Sequence, residues 1–171
     1  MTNAYRLLFG LPAAGLAAGW ALPAAAAPGI DITVTIPRLS VAEYHRPYVA
    51  IWIEQAGNAN VRNLAVWYDH DNREGTTWLR DMRTWWRKTG RTLRMPVAGI
   101  TGATRAPGAQ RQSFNINGLA PGRYELVVEA AREVGGREVV RLPFQWPATG
   151  AQTVRATGRT ELGAISAVIR R

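Results

Sequence analysis

Ile30-Asp31-Ile32-Thr33-Val34-Thr35-Ile36 alternates apolar and polar side chains over seven residues and then meets Pro37. A period of two in β-branched residues puts Ile30, Ile32, Val34 and Ile36 on one face of a half-buried strand. Pro37, which lacks an N–H for a ladder, ends it. The same reading extends along the chain. Residues 48–54 form a second strand, a turn follows at Gly57-Asn58, and Val61–Tyr68 is its partner. Further strands are expected over 111–116, 123–131, 138–146, 151–157 and 161–169. Asn117-Gly118, Pro121-Gly122, Gly135-Gly136 and Gly158 supply turns between them. A row of short strands without a βαβ rhythm predicts an all-β chain, an immunoglobulin-like antiparallel sandwich in a single domain over residues 27–171.

One segment breaks the pattern. Trp78, Met82, Trp85 and Trp86 recur at i, i+4, i+7 and i+8, which is a helical stripe. The spacing predicts one short helix over about residues 77–89, with Thr77 as N-cap and Gly90 as its C′ stop. It would cap one end or one open face of the sandwich with three tryptophans turned inward. Aromatic stripes mostly pack into cores. The functional alternative is an aromatic shelf at Trp85 and Trp86 for a planar ligand, edged by Arg83 and Arg87 for a phosphate.

Composition excludes several function classes. The chain has 171 residues and no cysteine, so disulfides, thiolate nucleophiles and iron–sulfur ligation are absent. With histidine only at 45 and 70 and serine only at 40, 113 and 166, a Ser-His-Asp triad has little to be built from. Nothing places two carboxylates across a substrate, and Glu125, Glu129 and Glu133 read as one strand's polar face and exit. The chain is therefore expected not to be a hydrolytic enzyme.

Arg6, the apolar run 7–22 and Ala24-Ala25-Ala26-Ala27 read as a secretory signal peptide, residues 1–26. Pro28 would directly follow a cut after Ala27, so cleavage is expected after Ala26. Pro12, Pro23 and the glycines make a poor membrane-spanning helix, and the address is the periplasm. The formal charge is +9, with Lys88 the single lysine. The arginines are scattered and the compartment is extracytosolic, so no nucleic acid is expected; an acidic partner protein or an anionic membrane suits the charge better.

Tyr68-Asp69-His70-Asp71-Asn72 offers metal-ligand residue types. As a calcium loop it fails, because the sixth position is Glu74 and not glycine. A transition metal would need His45 or further carboxylates brought in from elsewhere. A polar loop after a strand is the simpler reading, with no metal.

Ile100-Thr101-Gly102-Ala103-Thr104 resembles the signature at which a periplasmic flavin transferase attaches flavin mononucleotide (FMN) to threonine through a phosphoester. The signature runs Asp, two residues, Ser or Thr, Gly, Ala, then the acceptor Ser or Thr. Thr101, Gly102 and Ala103 match, and the resemblance makes Thr104 the acceptor. The position of the Asp is Ala98. An exposed acceptor oxygen is served by a loop with little bulk beside it.

Five stretches are similar to a family of predicted periplasmic proteins, the domain of unknown function 2271. They begin with His45-Arg46-Pro47-Tyr48 running to Glu54, and Trp78-Leu79 through Trp85-Trp86-Arg87. Next come Thr101-Gly102-Ala103-Thr104-Arg105-Ala106-Pro107-Gly108, and Pro121-Gly122-Arg123-Tyr124 running to Glu133. Thr160-Glu161-Leu162-Gly163 closes the set. Residues 104–133 are also similar to the immunoglobulin-like module of flagellar hook-capping proteins. The family resemblance implies a periplasmic component of an extracytosolic electron-transfer system, beside membrane reductases of the PepSY type and flavin transferases, in iron-uptake settings.

Two readings follow. One is an accessory protein of a flavin- or iron-linked system with FMN on Thr104, its ring stacked on Trp85 and Trp86. The other is a non-redox binding module without a cofactor, which Ala98 favours. Carbohydrate binding through the tryptophans is a third, and it needs exposed aromatic faces.

Overall fold

The 30–36 alternation is strand β1 (Gly29–Ile36), with Ile30, Ile32, Val34 and Ile36 all buried. The computed structural model describes residues 28–57 and 61–171; the expected leader, 1–26, and Asn58 lie outside the described residues. Eight further strands follow: β2 (Tyr48–Gln55), β3 (Val61–Tyr68), β4 (Thr101–Ala103) and β5 (Gly108–Asn115), then β6 (Gly122–Ala131), β7 (Arg137–Trp146), β8 (Gln152–Thr157) and β9 (Ala164–Arg170). They form two sheets, ordered β5-β1-β9-β8 and β4-β3-β2-β6-β7. The core between them takes alternate residues of each strand: Val49, Ile51 and Ile53 of β2, Leu126 and Val128 of β6, Ile165, Ala167 and Ile169 of β9.

The connectivity is immunoglobulin-like. β3-β2-β6-β7 stand in the order of strands C′, C, F and G, while β1 pairs with β5 as B pairs with E. Tyr124, near the start of β6, donates its hydroxyl to the Ala120 carbonyl at 2.7 Å, the tyrosine corner of that fold. The hairpin β8–β9 occupies the other side of β1. One strand departs from the antiparallel expectation: β4, three residues long, pairs parallel to β3 at the sheet edge. Parallel neighbours require a long crossover, and residues 69–100 supply it.

That crossover carries the helical insertion, and here the sequence expectation is corrected. The single helix over 77–89 is instead a 3-10 segment (Gly75–Asp81), a short α-helix α1 (Arg83–Lys88) and a further 3-10 turn (Gly90–Thr92). Met82 sits at the break with φ −75° and ψ 69°, outside the helical region. Thr77 therefore lies inside the first segment and caps nothing. Three residues per turn in the first segment rotate Trp78 off the stripe that 3.6 residues would have kept. Trp78 is 42% exposed, Met82 and Trp85 are buried, and Trp86 is half-buried. Gly90 is needed for contact: a Cβ there would fall 2.5 Å from the Trp85 ring.

The insertion covers the outer face of the five-stranded sheet and makes a second core. Ala50 and Trp52 of β2, Val66 and Tyr68 of β3, and Val127 and Ala131 of β6 pack under Leu79, Met82 and Trp85. The sheet's middle is thus buried on both faces, which explains the near-continuous apolar run of β2. The polar-face expectation for Glu129 is also corrected. It is fully buried, and its carboxylate accepts the N–H groups of Thr84 and Trp85 at 3.0 and 2.7 Å and the Arg137 guanidinium. A strand residue therefore caps α1, whose own preceding residue, Met82, has no side chain for it. At the other end Lys88 donates to Glu54 of β2 at 2.9 Å, and Trp52 Nε1 donates to the same carboxylate at 2.7 Å.

Burial pushes Glu54 up, but the Lys88 and Trp52 hydrogen bonds and the Arg141 charge outweigh it and hold it below the ordinary 4.5. Glu138 follows the same logic. Burial raises it, and the N–H groups of Arg159, Thr160 and Leu162 with the Thr160 hydroxyl bring it below 4.5. Carboxyls depressed in the folded state contribute stability above their unfolded value and lose it as pH falls through the folded value. The urea midpoint is expected to fall as pH drops below 4.5, and Glu138→Gln should flatten that fall. Glu129→Ala leaves Arg137 and two helix N–H groups without their acceptor, and should lower stability by about 3–5 kcal/mol. Urea unfolding followed by tryptophan fluorescence measures it.

Candidate functional site

One end of the five-stranded sheet gathers the start of β2 and the ends of β3, β4 and β6. A cleft of about 340 Å³ opens there under the 3-10 segment. Tyr44, His45 and Arg46 come from the β1–β2 connection, Tyr48 from β2, and Asp69 and Asn72 from the loop after β3. Trp78 and Asp81 come from the 3-10 segment, Thr104 follows β4, and Ala131, Arg132 and Glu133 end β6. Among the described tryptophans, Trp78 is the exposed one.

Thr104, the expected acceptor, is half-buried and lines this cleft. Thr101, Gly102 and Ala103 form β4 itself and have structural duties. The Thr101 hydroxyl accepts the Val97 N–H at 2.8 Å, and the Thr101 N–H returns to the Val97 carbonyl at 3.0 Å. Gly102 lies against Trp67, whose Cδ1 would be 3.3 Å from an added Cβ, and Arg105 stacks over that indole at 5.4 Å. Ala98 is exposed in the turn that Thr101 closes, so the fold does not depend on a carboxylate there.

Trp85 and Trp86 do not line the cleft, and the shelf reading is corrected for Trp85. It has no exposed surface, and its Nε1 donates to Asn63 of β3 at 2.8 Å. Trp86 tilts 52° to it with ring centroids 6.3 Å apart and packs on the outer core. Trp85 is closed to a sugar and Trp86 is half-buried, so Trp78 is the exposed indole that the carbohydrate reading keeps. The aromatic surface beside Thr104 belongs to Trp78, which the helical stripe assigned to the interior.

The polar loop after β3 is a set of turns. Asn72 Oδ1 accepts the Glu74 N–H at 3.0 Å, and Gly75 packs so closely on the Asp69 carbonyl that a Cβ would overlap it. His70 pairs with Asp71 at the surface, 2.8 Å apart. His45 does reach the same cleft as Asp69, yet no group of three or more His, Asp or Glu suited to a metal occurs among the described residues.

The site's floor was not foreseen. Arg132 has a side chain only 6% exposed; its Nε and Nη2 donate to Glu161 at 2.8 and 3.1 Å. Gly135 and Gly136 let this pair pass, since a Cβ at Gly135 would fall 2.4 Å from the guanidinium carbon and one at Gly136 2.8 Å from Glu161 Oε1. Arg132 Nη1 and the Tyr44 hydroxyl are buried without a hydrogen-bond partner among the described residues. Burial pushes the Tyr48 phenol above its ordinary 10.0. A backbone hydrogen bond at Asp69 opposes the shift, while the negative charges of Asp69 and Glu133 add to it. Tyr48 is therefore a neutral phenol at physiological pH.

Each of the five stretches quoted for the family resemblance sends a residue here: His45, Trp78, Thr104 and Arg132 to the cleft, and Glu161 to the arginine beneath it. The family model described as "Predicted periplasmic protein (DUF2271)" matches residues 29–164. The chain belongs to this family. The family's description agrees with the periplasmic address read from the sequence. No curated protein and no solved structure matches the chain. The likeness to hook-capping modules therefore rests on residues 104–133 as a sequence.

Exposure of Trp78 alone has a direct consequence. Trp78→Phe should remove the larger share of the tryptophan fluorescence that acrylamide quenches in the mature protein. Trp85→Phe should leave that share almost unchanged while lowering stability, because its indole is closed off. Stern–Volmer plots of the two variants decide it.

Proposed function

We propose that this DUF2271 protein is a periplasmic accessory of an extracytosolic, flavin- or iron-linked electron-transfer system, with FMN carried on Thr104. The observation that carries the reading is the place of Thr104: it lines the same cleft as an exposed indole, Trp78, and as two residues with unpartnered buried donors, Tyr44 and Arg132. A flavin held through its phosphate at Thr104 has the Trp78 ring for its own and Arg46 and Arg132 for its charge. Bound there, the flavin supplies the redox chemistry. The chain would hold it in the cleft, where Tyr48 is a neutral phenol among the lining residues. No turnover of a substrate is proposed. Partners on this reading are a flavin transferase that modifies Thr104 and a membrane reductase of the PepSY type; an acidic contact surface on the partner would suit this basic chain.

A second reading, a binding module without cofactor, has one observation in its favour. Ala98 stands where the signature carries Asp, and the turn around it closes without a carboxylate. Asp69, Asp81 and Glu133 are the carboxylates that share the cleft with Thr104. Intact mass of the mature protein, produced in a periplasm with an active flavin transferase, separates the two readings. The expected result is a yellow chain heavier by one FMN, with the adduct on Thr104. Thr104→Ser should keep the adduct and Thr104→Ala should abolish it. An unmodified wild-type mass beside a labelled control protein leaves the module reading.

A further inference from the structure

A guanidinium brought almost wholly out of water ordinarily uses all of its donors. Arg132 does not. Glu161 engages Nε and Nη2 side by side, and this fixes the plane of the group, leaving Nη1 directed away from the pair. That nitrogen can only donate, it is buried without a partner among the described residues, and its residue lines the cleft. The Tyr44 hydroxyl, from a different part of the chain, is in the same condition in the same cleft. Trp67 Nε1, Gln112 Oε1 and Arg170 Nε are also buried without partners among the described residues, but Arg132 and Tyr44 are the two such residues that line this cleft, each with its donor just beneath the cleft's surface.

Arg46 adds a second cation to the lining. Carboxylates are present too: Asp69, Asp81 and Glu133, the last facing His45 Nδ1 at 3.5 Å. Their charge weakens the hold on a free phosphate relative to an ester. It suits a phosphate monoester on an organic body that carries hydroxyl or N–H donors of its own.

We propose that Arg132 Nη1 and the Tyr44 hydroxyl form a phosphoryl-binding subsite of the cleft. The subsite shares the cavity with the flavin reading but needs no covalent bond to Thr104. Its phosphoryl group is either that of a flavin mononucleotide or that of a free phosphate, and these two sources bind the same donors.

The test uses the mature wild-type chain produced without a flavin transferase, titrated calorimetrically with FMN, riboflavin and inorganic phosphate. Saturable binding of FMN, with riboflavin about tenfold weaker or more, is expected from loss of charge-assisted hydrogen bonds. Phosphate that binds as tightly as FMN identifies the free anion as the source; FMN that binds more tightly identifies the flavin. Tyr44→Phe is the decisive variant, because its hydroxyl has no hydrogen-bond partner among the described residues. It should weaken FMN and phosphate about tenfold with thermal stability unchanged or raised. Arg132→Lys should abolish binding, with circular dichroism checking that the Glu161 contact still supports the fold. Equal affinity for FMN and riboflavin with no phosphate binding, or wild-type affinity in Tyr44→Phe, overturns the subsite. Labelling of Thr104 with no such binding leaves the carrier reading standing without it, and phosphoryl binding without labelling does the reverse.

Discussion

The Glu129 carboxylate holds the outer half of the molecule together. It lies fully buried on the outer face of β6, where an unpaired charge would cost several kcal/mol. Two helix N–H groups and the Arg137 guanidinium surround it. An ordinary helix brings its own cap; α1 borrows one from the sheet, so it has one place to dock. Glu54 and Lys88 tie down its other end. With α1 pinned at both ends, Trp85 seals the second core and the 3-10 segment is held above the ends of β2, β3 and β6. The cleft is the space left beneath that segment.

A second set of carboxylates closes the opposite boundary. Glu138 gathers the N–H groups of residues 159–162, which fastens the β8–β9 hairpin to β7. The same loop delivers Glu161 to Arg132, through a turn where only glycine fits. The chain thus spends its buried acids on architecture. Glu54, Glu129 and Glu161, the buried acidic residues, all have partners, whereas Arg132 Nη1 and the Tyr44 hydroxyl do not. Unpartnered buried groups also occur in the frame, at Trp67 Nε1, Gln112 Oε1 and Arg170 Nε; what sets Arg132 and Tyr44 apart is that both residues line one cleft.

Much of the strand pattern was legible from period-two alternation and turn residues, because β1, β2, β3, β6 and β7 each bury a regular face in the inner core. β4 escaped notice because three residues carry no measurable period, and its pairing exists only once the crossover returns the chain to the edge of β3. The helical stripe was legible as apolar spacing, but not its division. That division depends on where Glu129 captures the N–H groups of Thr84 and Trp85, and a carboxylate 44 residues distant from Trp85 leaves no local signal. Of the candidate site residues, Thr104 stands in the cleft, while Trp85 and Trp86 belong to the outer core and Trp78 takes the exposed position. Arg132 and Tyr44 had no signal in the sequence beyond lying in or beside the family-like stretches.

Local order along the chain, then, was enough to determine the class of fold, its turns and the family to which it belongs. Alternation, glycine and proline act over a few residues, and the inner core simply sums those preferences. What the tertiary structure alone decided was which polar groups end up with partners. Burial brings donors and acceptors together across long separations in sequence, and whether a given arginine nitrogen meets a carboxylate is set by packing in three dimensions. The frame can be read residue by residue, whereas the site depends on what the folded frame leaves unsatisfied.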